Sequence, residues 1–427
     1  MSSFFTRILT FYRSIKSKIA FYPTLFALSG IIFALLMMYL EERGISDYLV
    51  QHAPFLVVNS GDTALTILSA CIAGLISMMV FSFSMVMVLL NQAASVYSPR
   101  LLPGLISDKR HQIILGIYIS SILYSIFVLF SIQPTGDKYQ IPGFSVLLGI
   151  LFTVVSIYAF IYFIHNISET IQITNILEKI FRNASKRISL LLEQESSVNW
   201  NFPNSNSWTE YRCDKSGYFQ DFSERDLLSF SKKNKTLLEV IPIKGTFVLK
   251  GTPVFRSKEK LSDKAVKHLL RNFYLSRKEL VTSNYLLAFK QITEVVVKAM
   301  SPGINDPGTA LNAIDYLSEL IRLRMLKSDE SFASDSGQDY VKMRVVSFEE
   351  LLYQINAPLR KYCCGDIIVV QKLGYMYLAL IKQKALKPSY HDILEKEAKR
   401  LLTDAKEVMK NEADLATLNT LSNKLHI

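Results

Sequence analysis

The residues that could do chemistry in this chain are concentrated in one short segment, SPGINDPGTA, at positions 301–310. Its candidate residues are small, polar or conformationally restricted: Ser301, Pro302, Gly303, Asn305, Asp306, Pro307 and Thr309. Proline and glycine end helices, and an aspartate followed by proline starts one, so the segment predicts a corner between two helices. Asp306 is then the N-cap and accepts a hydrogen bond from the backbone N–H group of Gly308 or Thr309.

The same corner could also bind an anion, because free backbone N–H groups and the positive end of the macrodipole point out of a helix N-terminus. Ser301, Asn305 and Thr309 would add polar contacts. The Asp306 carboxylate acts against this interpretation, because it would repel a negatively charged ligand. Two interpretations therefore stay open, a structural helix corner and a site for a ligand or a protein partner.

Recognisable catalytic and cofactor motifs are missing from the sequence, which has no GxxxxGK[ST], GxSxG or HExxH pattern. The four cysteines, Cys71, Cys213, Cys363 and Cys364, form no CxxC pair and have no histidine at metal-ligand spacing. We interpret them as structural thiols. We expect no catalytic residue, no metal and no cofactor, and the sequence favours a protein that is not an enzyme.

Four long apolar segments dominate the first part of the chain, at about 19–40, 64–90, 113–132 and 144–164, and none of them contains Asp, Glu, Lys or Arg. A bilayer core about 30 Å thick needs roughly 20 apolar residues per helix. The sequence therefore predicts a four-helix transmembrane domain over residues 1–167. Ion-coupled carriers usually need ionisable groups inside their spans, so this class is disfavoured.

The charges between the spans predict the orientation of the chain. Most Lys and Arg residues lie before the first span, in the 91–112 loop and after the fourth span, whereas the 41–63 and 131–143 loops carry one each. Positive residues are held on the cytoplasmic side. We expect a multi-pass protein of the bacterial inner (plasma) membrane with both termini in the cytoplasm. Attraction of these flanks to anionic lipid explains the net charge of +11, and nucleic acid is not an expected partner.

The second span carries a stripe of small and polar residues at helical spacing: Ala70, Gly74, Ser77, Ser84 and Asn91. In lipid, small residues let helix backbones approach closely, so helix packing explains the stripe. If the stripe instead lines an oligomer axis, it becomes the face of a narrow, weakly polar pore. Beyond it, Ser98, Pro99 and Arg100 either anchor the helix at the lipid headgroups or form a coupling elbow to the domain below.

The rest of the chain reads as a soluble part with both helices and strands. We predict a cytoplasmic helix at 168–193 that continues span four, a linker at 194–215 and a small α+β unit at 216–256. A helical cytoplasmic domain at 257–427 contains the SPGINDP corner and a polar gap at 328–338. The predicted fold class is membrane α-helical with four transmembrane helices, plus a cytoplasmic α+β, mostly helical domain.

Three segments resemble the bacterial membrane-protein family known as domain of unknown function 2254. They are FSFSMVMVLLNQAASVYSPRLL at the exit of span two, GYFQDF with GTFVLKGTPVF in the α+β unit, and KAMSPGINDPGTALNAIDYL. The last carries the family signature on residues 299–310. The resemblance covers roughly residues 20–385 and implies the architecture, while the family supplies no established activity.

We therefore expect a homo-oligomeric, channel-like or gated membrane protein with a cytoplasmic sensing domain. The alternative is a membrane-anchored scaffold or receptor with no pore. The expected partners are the lipid bilayer, further copies of the chain, and a cytoplasmic protein or small ligand.

Overall fold

The structure is a computed structural model. It describes residues 20–52, 58, 60–96, 109–132, 142–170, 172–195, 202–276, 284–335 and 338–425. The predicted coupling elbow at Ser98, Pro99 and Arg100 lies outside the described residues. The chain forms two compact units, Met1–Gln172 and Ile173–Ile427.

The first unit is helical. Its described elements are α1 (Phe21–Glu42), the short α2 (Ile45–His52), α3 (Gly61–Val96), α4 (Lys109–Ser131) and α5 (Gly143–Thr170). Within the described residues, four helices are long and apolar enough to cross a membrane: Phe21–Glu42, Gly61–Gln92, Lys109–Ser131 and Gly143–Glu169. The four predicted spans are therefore present as helices of sufficient length.

Helix α4 packs against α1, α3 and α5. The approach of α1 is close, since a Cβ atom built at Gly30 would lie 2.6 Å from the Ser120 carbonyl oxygen. Glycine permits such contact between helix backbones, as small residues do in membranes. Tyr124 and Val128 of α4 are fully buried in the core of this unit together with Leu68 of α3.

The second unit begins with α6 (Ile173–Glu195), which is separate from α5 (Gly143–Thr170). The helix that we predicted as a continuation of span four over 168–193 thus contains a helix boundary. Thr170, Ile171 and Ile173 at this boundary are β-branched, which lowers helix propensity.

Two sheets follow in the second unit. The five-stranded sheet has the order β1-β5-β3-β8-β7, built from β1 (Thr209–Arg212), β3 (Leu238–Val240), β5 (Pro253–Ser257), β7 (Glu330–Asp335) and β8 (Gln338–Arg344). The three-stranded sheet has the order β4-β2-β6, built from β2 (Gly217–Phe222), β4 (Phe247–Val248) and β6 (Phe273–Ser276). Helices α7 (Glu224–Lys233) and α8 (Asp263–Leu270) lie between these strands in the sequence.

The larger sheet recruits strands from outside the 216–256 segment. Strand β1 falls in the segment interpreted as a linker, and β7 falls in the predicted polar gap at 328–338. Strand β3 pairs in parallel with β8, with Leu238 opposite Val341. Local patterning does not reveal this pairing, because the partners are distant in sequence and β7 is mostly polar.

The remaining helices form the helical part of the second unit. They are α9 (Tyr285–Ala299), α10 (Pro307–Arg324), α11 (Phe348–Cys363), α12 (Ile367–Ile381), α13 (Ser389–Val408) and α14 (Glu412–Leu425). Helix α6 packs against α9 and α10, the two helices that flank the SPGINDP corner.

Candidate functional site

The SPGINDP segment forms a tight corner between α9 and α10. The Asp306 N–H group donates to the Ala299 carbonyl oxygen at 2.8 Å, which brings the two helix ends together. Ser301 donates from its hydroxyl group to the Lys298 carbonyl oxygen at 2.6 Å. Asn305 has a φ of 49°, in the left-handed region that asparagine tolerates better than most residues. The corner is therefore stabilised by its own backbone and side chains.

Asp306 is the N-cap of α10, which confirms the predicted cap. Its carboxylate accepts the Thr309 N–H group at 3.0 Å and the Thr309 hydroxyl group at 2.5 Å, one on each oxygen. The hydrogen bonds from the Thr309 hydroxyl and N–H groups hold the pKa of Asp306 below its ordinary value. An ionised carboxylate therefore occupies the N-terminus of α10, and this geometry favours the structural interpretation over an anion site.

Part of the corner surface remains open. Pro302, Gly303, Asn305 and Asp306 are exposed, and no described atom lies within 4 Å of a Cβ atom built at Gly303. Pro307 is half-buried at the first turn of α10. A protein partner or a small ligand at this surface stays a prediction.

Helix α6 is attached to both helices that the corner joins. The Phe181 ring lies 5.7 Å from the Tyr316 ring of α10. The Glu178 carboxylate accepts from Arg182 Nε at 2.5 Å and from the Tyr316 hydroxyl group, and these hydrogen bonds lower its pKa in that order of importance. Helix α6 follows α5 directly in the sequence, so the helix that packs on both corner helices is also the next helix in the chain after the fourth candidate span.

The stripe on α3 faces away from the other described helices of its unit. Its five residues are all exposed: Ala70, Gly74, Ser77, Ser84 and Asn91. The buried residues of α3 lie on the opposite side of the helix: Ala64, Leu68, Leu75 and Ser82. The Ser77 hydroxyl group donates to the Ala73 carbonyl oxygen at 2.9 Å. Among the residues that the structure describes, packing within one copy of the chain therefore does not use the stripe.

Sequence reasoning missed a buried carboxylate at the end of α1. Glu41 is 6% exposed, and its Oε1 atom accepts the Ser145 N–H and hydroxyl groups, each at 2.8 Å. Its Oε2 atom accepts the Ser46 hydroxyl group at 2.6 Å, and the Ser46 oxygen accepts the Phe144 N–H group at 3.1 Å. The first helical turn of α5 therefore binds Glu41, as helix N-termini bind anions. The signal in the sequence was an acid directly after an apolar run.

Sequence reasoning also missed the polar residues inside the first unit. Ser121 of α4 and Ser156 of α5 are buried, and their hydroxyl oxygens lie 3.1 Å apart. The Tyr118 hydroxyl group lies beside Ser82 of α3 without a hydrogen bond of good geometry. The spacing of Tyr118, Ser121 and Ser125 on one face of α4 could have indicated this row.

A second polar group lies at the opposite end of α5. Arg110 donates to the Asn166 Oδ1 atom at 2.8 Å, and the His111 Nε2 atom is 3.2 Å from the Asn166 Nδ2 atom. His111 also contacts the Phe163 ring at a centroid distance of 5.7 Å. The packed helices α4 and α5 thus carry polar contacts at both ends, the Glu41 end and the Asn166 end.

The three cysteines of the second unit are buried and form no disulfide. Burial is the main cause that raises the pKa of Cys363 to about 12 and of Cys364 to about 11. Cys213 donates from Sγ to the Leu249 carbonyl oxygen at 3.0 Å. Across the described ranges, no group of three or more His, Cys, Asp and Glu side chains could hold a metal ion.

Comparison with known proteins places these features among membrane proteins of unassigned activity. The family model described as "Predicted membrane protein (DUF2254)" matches residues 16–378. The uncharacterized protein MT1328 of Mycobacterium tuberculosis (strain CDC 1551 / Oshkosh) is 22% identical over 351 residues, or 78% of this chain and 66% of that protein. The uncharacterized protein Mb1321c of Mycobacterium bovis (strain ATCC BAA-935 / AF2122/97) is 21% identical over the same shares. The chain thus spans 66% of the length of these curated relatives. No solved structure matches.

Proposed function

This chain belongs to the family described as Predicted membrane protein (DUF2254), and from that premise we propose that it is a homo-oligomeric, non-enzymatic protein of the bacterial inner membrane with a gated channel. In this proposal the second unit lies in the cytoplasm and senses a ligand or protein partner. The Glu41 end of the first unit faces outward, because the Lys and Arg residues are concentrated in the segments predicted to be cytoplasmic.

The observation that carries the proposal is the exposure of the α3 stripe. A helix surface that contacts only lipid gains nothing from small residues, because lipid tails favour large apolar side chains there. Ala70, Gly74 and Ser77 are exposed and permit close approach of a second helix. A second copy of the chain supplies such a helix, and Ser84 and Asn91 then lie near the axis of the assembly.

Helix α6 provides the coupling in this proposal. A ligand or partner at the SPGINDP corner changes the packing of α9 and α10, and α6 packs on both. Since only residues 171 and 172 separate α6 from α5, movement of α6 pulls on the fourth span. This arrangement supports a sensing role for the second unit.

Native mass spectrometry of the purified full-length protein tests the oligomer. We expect Gly74→Leu to reduce the assembly to smaller species, because a leucine side chain keeps the two helices apart. Ser69→Leu is the matched control, since Ser69 is exposed on α3 outside the stripe. A wild-type monomer, or an assembly that Gly74→Leu leaves intact, would remove the basis of the proposal.

Planar-bilayer recording separates a channel from the alternative, a membrane-anchored scaffold or receptor with no pore. A channel at the α3 axis gives a conductance that Asn91→Leu changes. A stable oligomer without conductance supports the scaffold, in which the second unit recruits a partner.

A further inference from the structure

A row of buried hydroxyl groups runs along one face of α4, separate from the exposed stripe on α3. Tyr118, Ser121 and Ser125 lie on successive turns of α4, with Ser82 of α3 beside Tyr118 and Ser156 of α5 beside Ser121. Each of these five side chains is at most 5% exposed. The row is therefore enclosed by three helices of a single copy of the chain.

Three hydroxyl groups of the row, those of Ser82, Tyr118 and Ser125, make no hydrogen bond of good geometry with a described residue. Hydrocarbon offers no hydrogen bonds, so an unpartnered hydroxyl group is costly in a membrane-spanning helix. A buried water molecule needs roughly two to four polar partners, and hydroxyl groups from neighbouring helices supply them. The row is thus suited to bind water between its side chains.

A titratable side chain lies beyond each end of the row, Glu41 at one end and His111 at the other. At one end, Tyr124 donates from its hydroxyl group to the Ser145 carbonyl oxygen at 3.0 Å, and Ser145 donates to the Glu41 carboxylate. At the other end, His111 contacts Asn166. A carboxylate and an imidazole can each bind and release a proton.

We propose that this row is a proton path inside each copy of the chain. A proton binds the Glu41 carboxylate and passes through the Ser145 hydroxyl group and water to Tyr124 and the row, where each hydroxyl group or water accepts one proton as it releases another. The Ser145 carbonyl oxygen only orients the Tyr124 hydroxyl group. The proton leaves from His111, and every oxygen of the row returns to its neutral form. The path needs no oligomer, and it is therefore independent of the α3 pore proposed above.

The geometry of the row favours protons over other ions. The Ser121 and Ser156 oxygens are 3.1 Å apart, which is hydrogen-bond distance and leaves no space for a hydrated ion between them. Between Tyr118 and His111, the apolar side chains of Ile114 and Phe163 pack in one buried cluster. In this proposal the apolar layer controls the rate of proton transfer, because a proton crosses the layer only when water enters it.

Proton flux into liposomes tests the path. The full-length protein is reconstituted into phosphatidylethanolamine–phosphatidylglycerol vesicles that contain pyranine, and a potassium gradient with valinomycin drives protons across. We expect flux above that of empty vesicles. Tyr118→Phe and Ser121→Ala lower it about tenfold, since each removes one hydrogen-bonding link from the path. Ser69→Ala leaves the flux unchanged, because Ser69 is exposed on α3 and lies outside the row.

Tyr118→Phe is the decisive variant because it keeps the aromatic ring and removes only the hydroxyl group. We expect Tyr118→Phe to elute in gel filtration at the same volume as the wild type, which confirms that it folds. At position 121, Ser121→Thr retains a hydroxyl group and should give a higher proton flux than Ser121→Ala. Wild-type flux no higher than that of empty vesicles, or flux that Tyr118→Phe leaves intact, overturns the path. Flux that falls in Ser84→Ala but not in Tyr118→Phe also overturns it, while supporting the α3 pore.

Discussion

The carboxylate of Glu41 accepts two hydrogen bonds from Ser145, one from its N–H group and one from its hydroxyl group, each at 2.8 Å. This contact joins the last turn of α1 to the first turn of α5, two helices far apart in the sequence. The positive end of the α5 macrodipole stabilises the carboxylate in place of a cationic side chain. Glu41 is therefore a structural link between two of the helices that could cross a membrane.

Replacing Glu41 with alanine should destabilise the first unit. The Ser145 N–H and Ser46 hydroxyl groups then lose their acceptor, and hydrogen bonds to charged groups contribute about 1.5–3 kcal/mol each. We expect a clear fall in the midpoint of thermal unfolding, measured by fluorescence-detected gel filtration. Glu42→Ala is the matched control, because Glu42 is the adjacent residue and is exposed. Equal midpoints for the two variants would contradict a structural role of Glu41.

The N-cap of α10 should make stability depend on pH. Asp306→Ala removes the cap and costs about 1 kcal/mol of unfolding free energy. Because the folded-state pKa of Asp306 lies below its unfolded value, the stabilisation is fully present above the unfolded pKa near ~4 and is lost as pH falls through the folded pKa. This stabilisation is measured by denaturant unfolding of the wild type and of Asp306→Asn at neutral and at acidic pH. A stability difference between the two proteins that does not shrink at acidic pH would argue against an ionised cap.

Arg324 should be among the least replaceable residues of the second unit. It is fully buried, and it donates to the Lys327 carbonyl oxygen at 2.8 Å, to the Asp329 carboxylate at 2.6 Å and to the Val346 carbonyl oxygen at 2.9 Å. Arg324→Ala removes all three of these hydrogen bonds, and breaking a buried ion pair costs about 3–5 kcal/mol. Thermal unfolding should show a large loss for Arg324→Ala and a small one for the half-buried Arg322→Ala. If the two variants lose comparable thermal stability, the loss comes from a change in helix propensity and not from the buried hydrogen-bond network of Arg324.

Local signals in the sequence predicted the features that depend on neighbouring residues alone. The four long helices follow from uninterrupted apolar runs, and the Asp306 cap follows from the Asn-Asp-Pro order before a helix. The residues that determine each of these two features lie close together in the sequence. The sequence alone was therefore sufficient to predict them.

Features that depend on distant partners were not predictable in the same way. Glu41 reads as a loop residue until Ser145 is seen beside it, and Arg324 reads as a solvated charge on the last turn of a helix. Strand β7 reads as a polar gap until its pairing with β8 is known. In each case the tertiary contact, and not the local pattern, determines the environment.

The buried thiols of the second unit should resist alkylation. With pKa values raised to about 12 for Cys363 and about 11 for Cys364, the thiolate fraction at pH 8 is roughly one in a thousand or less. Maleimide labelling followed by peptide mapping should find no label on these two residues in the native protein and a label on each of them after denaturation. Rapid native labelling of Cys364 would mean that its environment opens in solution.

The contact between α6 and α10 should stabilise α6, the helix that follows the fourth candidate span in the sequence. Phe181→Ala removes the ring that packs on Tyr316, and we expect amide exchange in α6 to accelerate about tenfold, since local opening then costs less free energy. Hydrogen-exchange mass spectrometry of the full-length protein measures it. Ser189→Ala is the control, because Ser189 lies on the exposed face of the same helix. If α6 exchanges equally in both variants, the contact with Tyr316 does not hold α6 in place, and coupling through α6 loses its structural basis.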